Sequence, residues 1–136
     1  MSSESSGANS LQAHIAPWIS VSNAAVAVEF YRAAFGAVEL YRLEHENGEL
    51  AVVQLAVGGA DFWLQQDPDY SPQAEGAGSV RMIVSVSDPD SMFAQALAAG
   101  ASEIAPVSEG FGWRIGRLVD PFGHHWEIGR RLSESP

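Results

Sequence analysis

A histidine and a carboxylate alternate with bulky apolar residues near the end of the chain. His125 and Glu127 occupy every second position of a short segment, and Trp126 and Ile128 lie at the positions between. Because successive residues of a β-strand point to opposite faces of a sheet, this pattern predicts a strand with one apolar and one polar face. The polar face could hold a ligand or transfer protons, since histidine titrates near neutral pH. A solvated outer face of an antiparallel sheet is the simpler interpretation.

The elements that would position these residues occur twice along the chain. Residues 14–66 and 80–130 each predict a strand, a helix and three further strands, and the first strand ends in similar motifs, ISVSN and VSVSD. Residues 67–79, rich in proline and glycine, predict a linker, and the serine-rich residues 1–12 predict a disordered tail. The sequence therefore predicts one α+β domain, residues 13–136, built from two β-α-β-β-β modules.

Residues suited to helix ends delimit the two predicted helices. Asn23 and Asp88 have side chains that accept hydrogen bonds from the first free N–H groups of a helix. Pro89 fits the first helical position, where no N–H is needed. Gly36 and Gly100 can adopt the left-handed conformation that ends many helices.

Composition excludes several classes of chemistry. The 136 residues include no cysteine and no lysine, and the formal net charge is −10. Disulfides, cysteine nucleophiles and Schiff-base lysines are therefore excluded. The excess of carboxylates repels phosphate, so we expect no nucleic-acid partner and no membrane partner. The sequence has no apolar run of membrane-spanning length and no signal-peptide pattern, so we expect a cytoplasmic protein.

Two motifs make the repeat resemble a known superfamily. The paired modules, the FYRAAFG helix end at residues 30–36 and the DPFGHHWEIG segment at residues 120–129 resemble the vicinal-oxygen-chelate superfamily. This superfamily includes glyoxalase I, bleomycin-resistance proteins and extradiol dioxygenases. The resemblance covers about residues 14–130. It implies mixed sheets curled into a cup with the helices outside, often completed across a homodimer.

The resemblance also implies four metal-ligand positions, on the first and last strand of each module. These positions hold Ala16, Trp63, Arg81 and Glu127 in this sequence. Only Glu127 among them can bind a divalent metal, whereas a catalytic metal site needs about three protein ligands. The expected function is therefore metal-independent binding of a small molecule, with no cofactor.

Seven side chains are predicted to bind that ligand from the cup face. The tryptophans could stack on a flat ligand, glutamines could add hydrogen bonds, and arginine could receive an anionic or carbonyl oxygen. Aligning the modules turns Arg114 into the cup and places Arg117 on the apolar side. The predicted ligand-binding residues are Trp18, Gln54, Trp63, Gln65, Arg81, Arg114 and Glu127.

Alternatives remain for each of these residues and for the function. Arg81 and Glu127 could form a purely structural ion pair, and the tryptophans could fill a narrow cup or contact a second subunit. His14, His125 and Glu127 could form a rearranged divalent-metal site in a metal-dependent lyase or dioxygenase. Catalytic residues stay unknown. An interaction module is a third hypothesis, and a cavity below about 300 Å³ would favour it.

Overall fold

The computed structural model describes residues 13–71 and 80–132. The predicted tail and residues 72–79 of the predicted linker lie outside the described residues. The described residues form strands and helices in this order: β1 (Trp18–Val21), α1 (Ala24–Phe35), β2 (Val38–Glu44), β3 (Leu50–Val57), β4 (Ala60–Gln66), β5 (Arg81–Ser85), α2 (Pro89–Ala99), β6 (Ser102–Gly110), β7 (Trp113–Val119) and β8 (His125–Arg131). No helix among them is long and apolar enough to cross a membrane.

Both helices begin and end where the sequence predicts. The Asn23 side chain accepts a hydrogen bond from the backbone of Val26 at 3.1 Å, and Asp88 accepts one from Ser91 at 3.1 Å. Gly36 ends α1 in the left-handed conformation, with φ of 72°. Each cap satisfies backbone groups that the helix itself leaves unpaired.

The strands form two four-stranded sheets with matching topology. The strand order is β1-β4-β3-β2 in the first sheet and β5-β8-β7-β6 in the second. The first strand of each sheet runs parallel to its neighbour, and the remaining neighbours are antiparallel. The structure thus confirms the α+β fold of two β-α-β-β-β modules. The first strand, predicted from residue 14, begins only at Trp18.

Each sheet has a helix face, covered by the helices, and an open face on the opposite side. The helix faces carry buried side chains such as Leu64 of the first sheet and Trp126 of the second. Strand alternation places Trp63 on the open face of the first sheet, and His125 and Glu127 on that of the second. The open faces correspond to the predicted cup face.

The two modules share one aromatic core between their helix faces. The rings of Phe35 and Trp126 lie 4.7 Å apart, and those of Phe62 and Trp126 lie 5.5 Å apart. Gln95 of α2 donates hydrogen bonds to backbone carbonyls near the end of α1, at 3.0 and 3.1 Å. The helix-face surface of each module is therefore buried partly by the other module.

A buried carboxylate in the β7–β8 turn also joins the modules. Asp120, only 4% exposed, accepts hydrogen bonds from the Tyr31 hydroxyl and from Trp126 Nε1 at 2.9 Å. It also accepts bonds from the backbone N–H groups of Phe122 and His124, each at 2.9 Å. Four donors thus satisfy the carboxylate, which explains how a charge is accommodated inside the core.

Candidate functional site

Three aromatic rings form a platform on the open face of the first sheet. The rings of Trp18 and Trp63 stack with centroids 6.0 Å apart and planes 23° apart. Tyr41 packs its ring edgewise on Trp63 at 5.8 Å. Trp18 is 54% exposed. We call these three residues the aromatic platform. The sequence reasoning missed Tyr41, although the pairing of its strand with Gln54 could have placed it there.

The two predicted glutamines make hydrogen bonds beside this platform. Trp18 Nε1 donates to Gln65 Oε1 at 2.7 Å, and Gln54 Nε2 donates to Asp61 Oδ2 at 2.8 Å. His14 Nε2 lies 2.9 Å from Asp61 Oδ1. The Gln54 hydrogen bond, with a smaller effect of His14, lowers the pKa of Asp61 from its ordinary value. Asp61 is therefore a carboxylate at neutral pH, at one end of the platform.

Arg81 and Glu127 form an ion pair on the open face of the second sheet. Arg81 Nη1 lies 2.9 Å from Glu127 Oε2, and the glutamate side chain is the less exposed of the two, at 20% against 47%. The ion pair that the sequence raised as an alternative is therefore present. The exposed guanidinium keeps donors free for a ligand, because arginine carries five N–H groups.

The four metal-ligand positions of the superfamily do not fit a metal in this chain. Trp63 can only donate, and Arg81 is a cation paired with Glu127, which leaves one carboxylate for a metal. The alternative set is not brought together, because His14 lies on Asp61 in the first module while His125 and Glu127 lie on β8. Across residues 13–71 and 80–132, no three His, Cys, Asp or Glu side chains cluster closely enough to hold a metal ion.

The predicted place of Arg114 in the cup is wrong. Arg114 lies on the helix face, where its guanidinium donates to both oxygens of Asp90 at the start of α2, at 2.7 and 2.6 Å. A weaker contact to Glu109 measures 3.4 Å. The hydrogen bond from Arg114 lowers the pKa of Asp90 from its ordinary value. Arg114 therefore joins β7 to the start of α2 and is not available to a ligand on the open face.

Hairpin register explains this error. Gln54 pairs with Trp63 in the first module, whereas Arg117 pairs with Glu127 in the second. These pairs span nine and ten positions along the chain, so the second connection is one residue longer. A shift of one residue exchanges the faces of a strand, so Arg117 takes the open face that the alignment assigned to Arg114.

Arg117 therefore belongs to the open face of the second sheet. Its Nη2 atom lies 3.2 Å from His125 Nδ1. Burial, followed by the charge of Arg117, lowers the pKa of His125 from its ordinary value. The predicted site residues of this module that share the open face are thus Arg81, His125 and Glu127, and Arg117 joins them.

His124, by contrast, links the modules. Its Nε2 atom lies 2.7 Å from the backbone carbonyl of Ser20, and the Tyr70 ring stacks on the imidazole at 5.6 Å. Imidazole Nε2 donates to the carbonyl, so the proton position is fixed by a structural contact.

A cleft of about 690 Å³ runs along the free edge of β5. Its sides are residues 80–86, residues 57–60 of the β3–β4 turn and the segment before β1, and Phe62 and Trp126 contribute apolar walls. A cavity below about 300 Å³ would favour an interaction module, and this cleft is larger than that. Its polar side chains are those of His14, Asp61, Arg81 and Ser85, whereas Trp18 and Trp63 do not line it.

Comparisons with known proteins agree with this architecture. The family described as a glyoxalase-like domain matches residues 18–129. The uncharacterized protein Rv0887c of Mycobacterium tuberculosis is 34% identical over 128 residues, which cover 88% of this chain and 75% of that protein. The protein At5g48480 of Arabidopsis thaliana is 31% identical over 122 residues, 79% of this chain and 71% of that protein.

Solved structures show the same fold. TioX from Micromonospora sp. ML1 superposes with a TM-score of 0.71 and 28% identity, covering 89% of this chain and all of the other. The fosfomycin resistance protein FosX from Listeria monocytogenes has a TM-score of 0.67 at 13% identity, covers 88% and 93% of the two chains, and shares the fold alone. The chain belongs to the glyoxalase-like domain family of the vicinal-oxygen-chelate superfamily.

Proposed function

We propose that this protein binds a small molecule without a metal, in the manner of the glyoxalase/bleomycin-resistance type. The observation that carries the proposal is the stacking of the exposed Trp18 ring on the half-buried Trp63 ring. Large exposed aromatic rings on the polar face of a sheet are costly in water unless a ligand or partner covers them. The Arg81–Glu127 ion pair at two metal-ligand positions supports binding without a metal.

The two groups of residues have complementary roles in this proposal. A flat or apolar ligand would stack on the aromatic platform, where Gln65 and Gln54 orient the neighbouring polar groups. Arg81 would receive an anionic or carbonyl oxygen through its planar fork. The cleft beside β5 has room for a ligand of drug-like size. Asp61 lines this cleft, and along β4 it precedes Trp63 of the aromatic platform by two residues.

A thermal-shift screen of planar aromatic compounds tests this proposal. Compounds that raise the melting temperature of the wild type should lose their effect on Trp63→Ala, because an aromatic pair contributes roughly 0.5–1.5 kcal/mol beyond its buried area. Trp113→Ala is the matched control, since Trp113 lies on the second sheet. Arg131 Cζ lies 5.6 Å from the centroid of the Trp113 ring. Compounds that raise the melting temperature of Trp63→Ala as much as that of the wild type would reject this assignment of the site.

We further propose that a second copy of the chain covers part of the open face of the first sheet. Val38, Tyr41 and Leu43 are each about half exposed there. Light scattering should give a dimer for the wild type and for Val26→Glu, a control on exposed helix surface, and a monomer for Leu43→Glu. A monomeric wild type at micromolar concentration would reject the homodimer. The cytoplasmic location stays a prediction.

A further inference from the structure

Positive charge is concentrated on the open face of the second sheet. Strand register places Arg81, Arg117 and Arg131 on this face, three of the seven arginines of the chain. Glu127 is the one carboxylate that β5, β7 and β8 present there. This local excess of positive charge stands out in a protein of net charge −10, where the surrounding field is negative.

Arg117 has no carboxylate partner within the described ranges. Glu127, which lies opposite it in the sheet, is bonded to Arg81 instead. The Nε atom of Arg117 is buried and has no hydrogen-bond partner among the residues described. A partly buried guanidinium with an unpaired N–H is costly unless an anion or acceptor completes its contacts.

His125 presents a second donor to the same place. Arginine can only donate, so His125 Nδ1 accepts from Arg117 Nη2, and the ring proton is on Nε2. The pKa of His125 is lowered by burial first, then by Arg117, with a smaller effect of Arg81. The charge of Asp120 raises the pKa of His125, and that of His124 lowers it. A neutral His125 with a free Nε2–H would donate to an incoming oxygen.

Sheet register brings these donors close together. Arg81 lies directly opposite His125 on the neighbouring strand, and Arg117 reaches His125 from the other neighbour. Directly opposed side chains of neighbouring strands start about 5 Å apart, which is the span of a carboxylate or a phosphate group. Guanidinium groups match the geometry of both anions.

We infer that Arg117 and His125, together with Arg81, form a binding site for an anionic oxygen group, a carboxylate or a phosphate, of the ligand. This inference rests on the proposed binding function and adds the chemical class of the ligand. Glu127 limits the affinity of the site, because it neutralises Arg81 and repels the anion. The bound anion would be the counter-ion that Arg117 lacks.

Titration with inorganic phosphate and, separately, acetate tests this inference. The side-chain N–H signals of the arginines are followed by NMR, with sodium chloride added to keep the ionic strength constant. These signals report binding to individual guanidinium groups. We expect saturable shifts of the Arg117 and Arg81 Nε–H signals in the wild type and in Arg32→Gln. Arg32 is the matched control, an exposed arginine of α1 paired with Glu29. Arg117→Gln, followed through the Arg81 signal, should weaken binding at least fivefold, and equal affinity in this variant would overturn the site.

Glu127→Gln provides a second test that does not depend on how Arg117→Gln folds. Removal of the carboxylate frees Arg81, so phosphate affinity should rise about fivefold, the effect of one charge at roughly 8 Å in a partly solvated site. Unchanged or weaker binding in Glu127→Gln would contradict the inference. A preference for phosphate over acetate, or the reverse, identifies which of the two anionic groups the site takes.

These results can be separated from those of the aromatic screen. Hits that depend on Trp63, with no anion effect at Arg117, would overturn the inference and leave the proposed function standing. Anion binding that depends on Arg117, with no hit that depends on Trp63, would support the anion site and reject the stacking site.

Discussion

Asp120 shows how one side chain can hold two modules together. Its carboxylate accepts from the Tyr31 hydroxyl in the first module and from Trp126 Nε1 and two backbone N–H groups in the second. All four donors belong to residues around a shared aromatic core, so removal of the carboxylate leaves four donors without their acceptor. Asp120 therefore contributes more to the free energy of unfolding than an aspartate in a turn on the surface does.

Asp120→Ala should lower the free energy of unfolding by about 3–5 kcal/mol, because several buried donors lose their acceptor at once. Tyr31→Phe removes one of these hydrogen bonds and should cost about 1–2 kcal/mol. Chemical denaturation of both variants measures the difference. Equal costs for the two changes would mean that the backbone and tryptophan donors find other partners.

The stability of the protein should fall in alkaline solution. Burial, and then the negative charge of Asp120, raises the pKa of Tyr31 well above its ordinary value. The folded protein keeps the Tyr31 proton while the unfolded chain loses it above about pH 10, so the stabilisation is complete below that pH and is lost as the pH rises towards the folded pKa. The chain has no lysine and no cysteine, whose titration would otherwise overlap that of Tyr31 in this range.

Denaturation curves between pH 9 and 12 check this expectation. The free energy of unfolding should decrease by up to about 1.4 kcal/mol per pH unit in the wild type. Tyr31→Phe should show a flatter dependence. A wild-type curve with no decrease above pH 10 would show that Tyr31 ionises as easily in the folded protein as in the unfolded chain.

Helix α2 packs against β7 at a position that only glycine fits. A Cβ atom on Gly116 would lie 2.8 Å from Phe93 Cε1 and 2.8 Å from Val107 Cγ2. Gly116→Ala should therefore destabilise the protein by about 1–3 kcal/mol through overpacking. Gly110→Ala is the matched control, because nothing lies within 4 Å of the Cβ it would add. Thermal or urea unfolding distinguishes the two, and equal stabilities would mean that Phe93 moves aside without cost.

The boundaries and faces of most elements could be predicted from the sequence because they depend on local chemistry. The side chains of Asn23 and Asp88 cap the helices as expected. Strand alternation also gave the faces of Trp63 and Glu127. The faces of Arg114 and Arg117 depended on the length of the β7–β8 connection, where one additional residue reverses the assignment. Alternation within β7 cannot reveal that reversal.

The cleft along β5 lies beyond sequence reasoning for a different reason. It forms where the edge of one module meets the β3–β4 turn of the other, and its apolar walls include Phe62 and Trp126 from different modules. Periodicity predicts which face of each strand is apolar, but it carries no information on how two modules pack. His14 and Arg81, predicted for different sites, are brought to the same cleft by that packing.

Since the aromatic core belongs to both modules, the whole molecule should unfold in a single step. Near-ultraviolet circular dichroism reports the packing of the aromatic core, and far-ultraviolet circular dichroism reports helices and sheets in both modules. The two transitions should coincide in urea, as expected for a small single domain. Separate midpoints would indicate that one module remains folded after the shared core opens.

The hydrogen bonds and ring contacts between the modules also limit how the chain can be recombined. A module exchanged with that of a relative would meet Tyr31 or Asp120 across the junction and would need a complementary group in the same position. It would also need rings that fit against Phe35 or Trp126. Chimeras made by joining halves at the linker should therefore fold only when the residues at this junction are transferred together, so the internal repeat does not provide interchangeable parts.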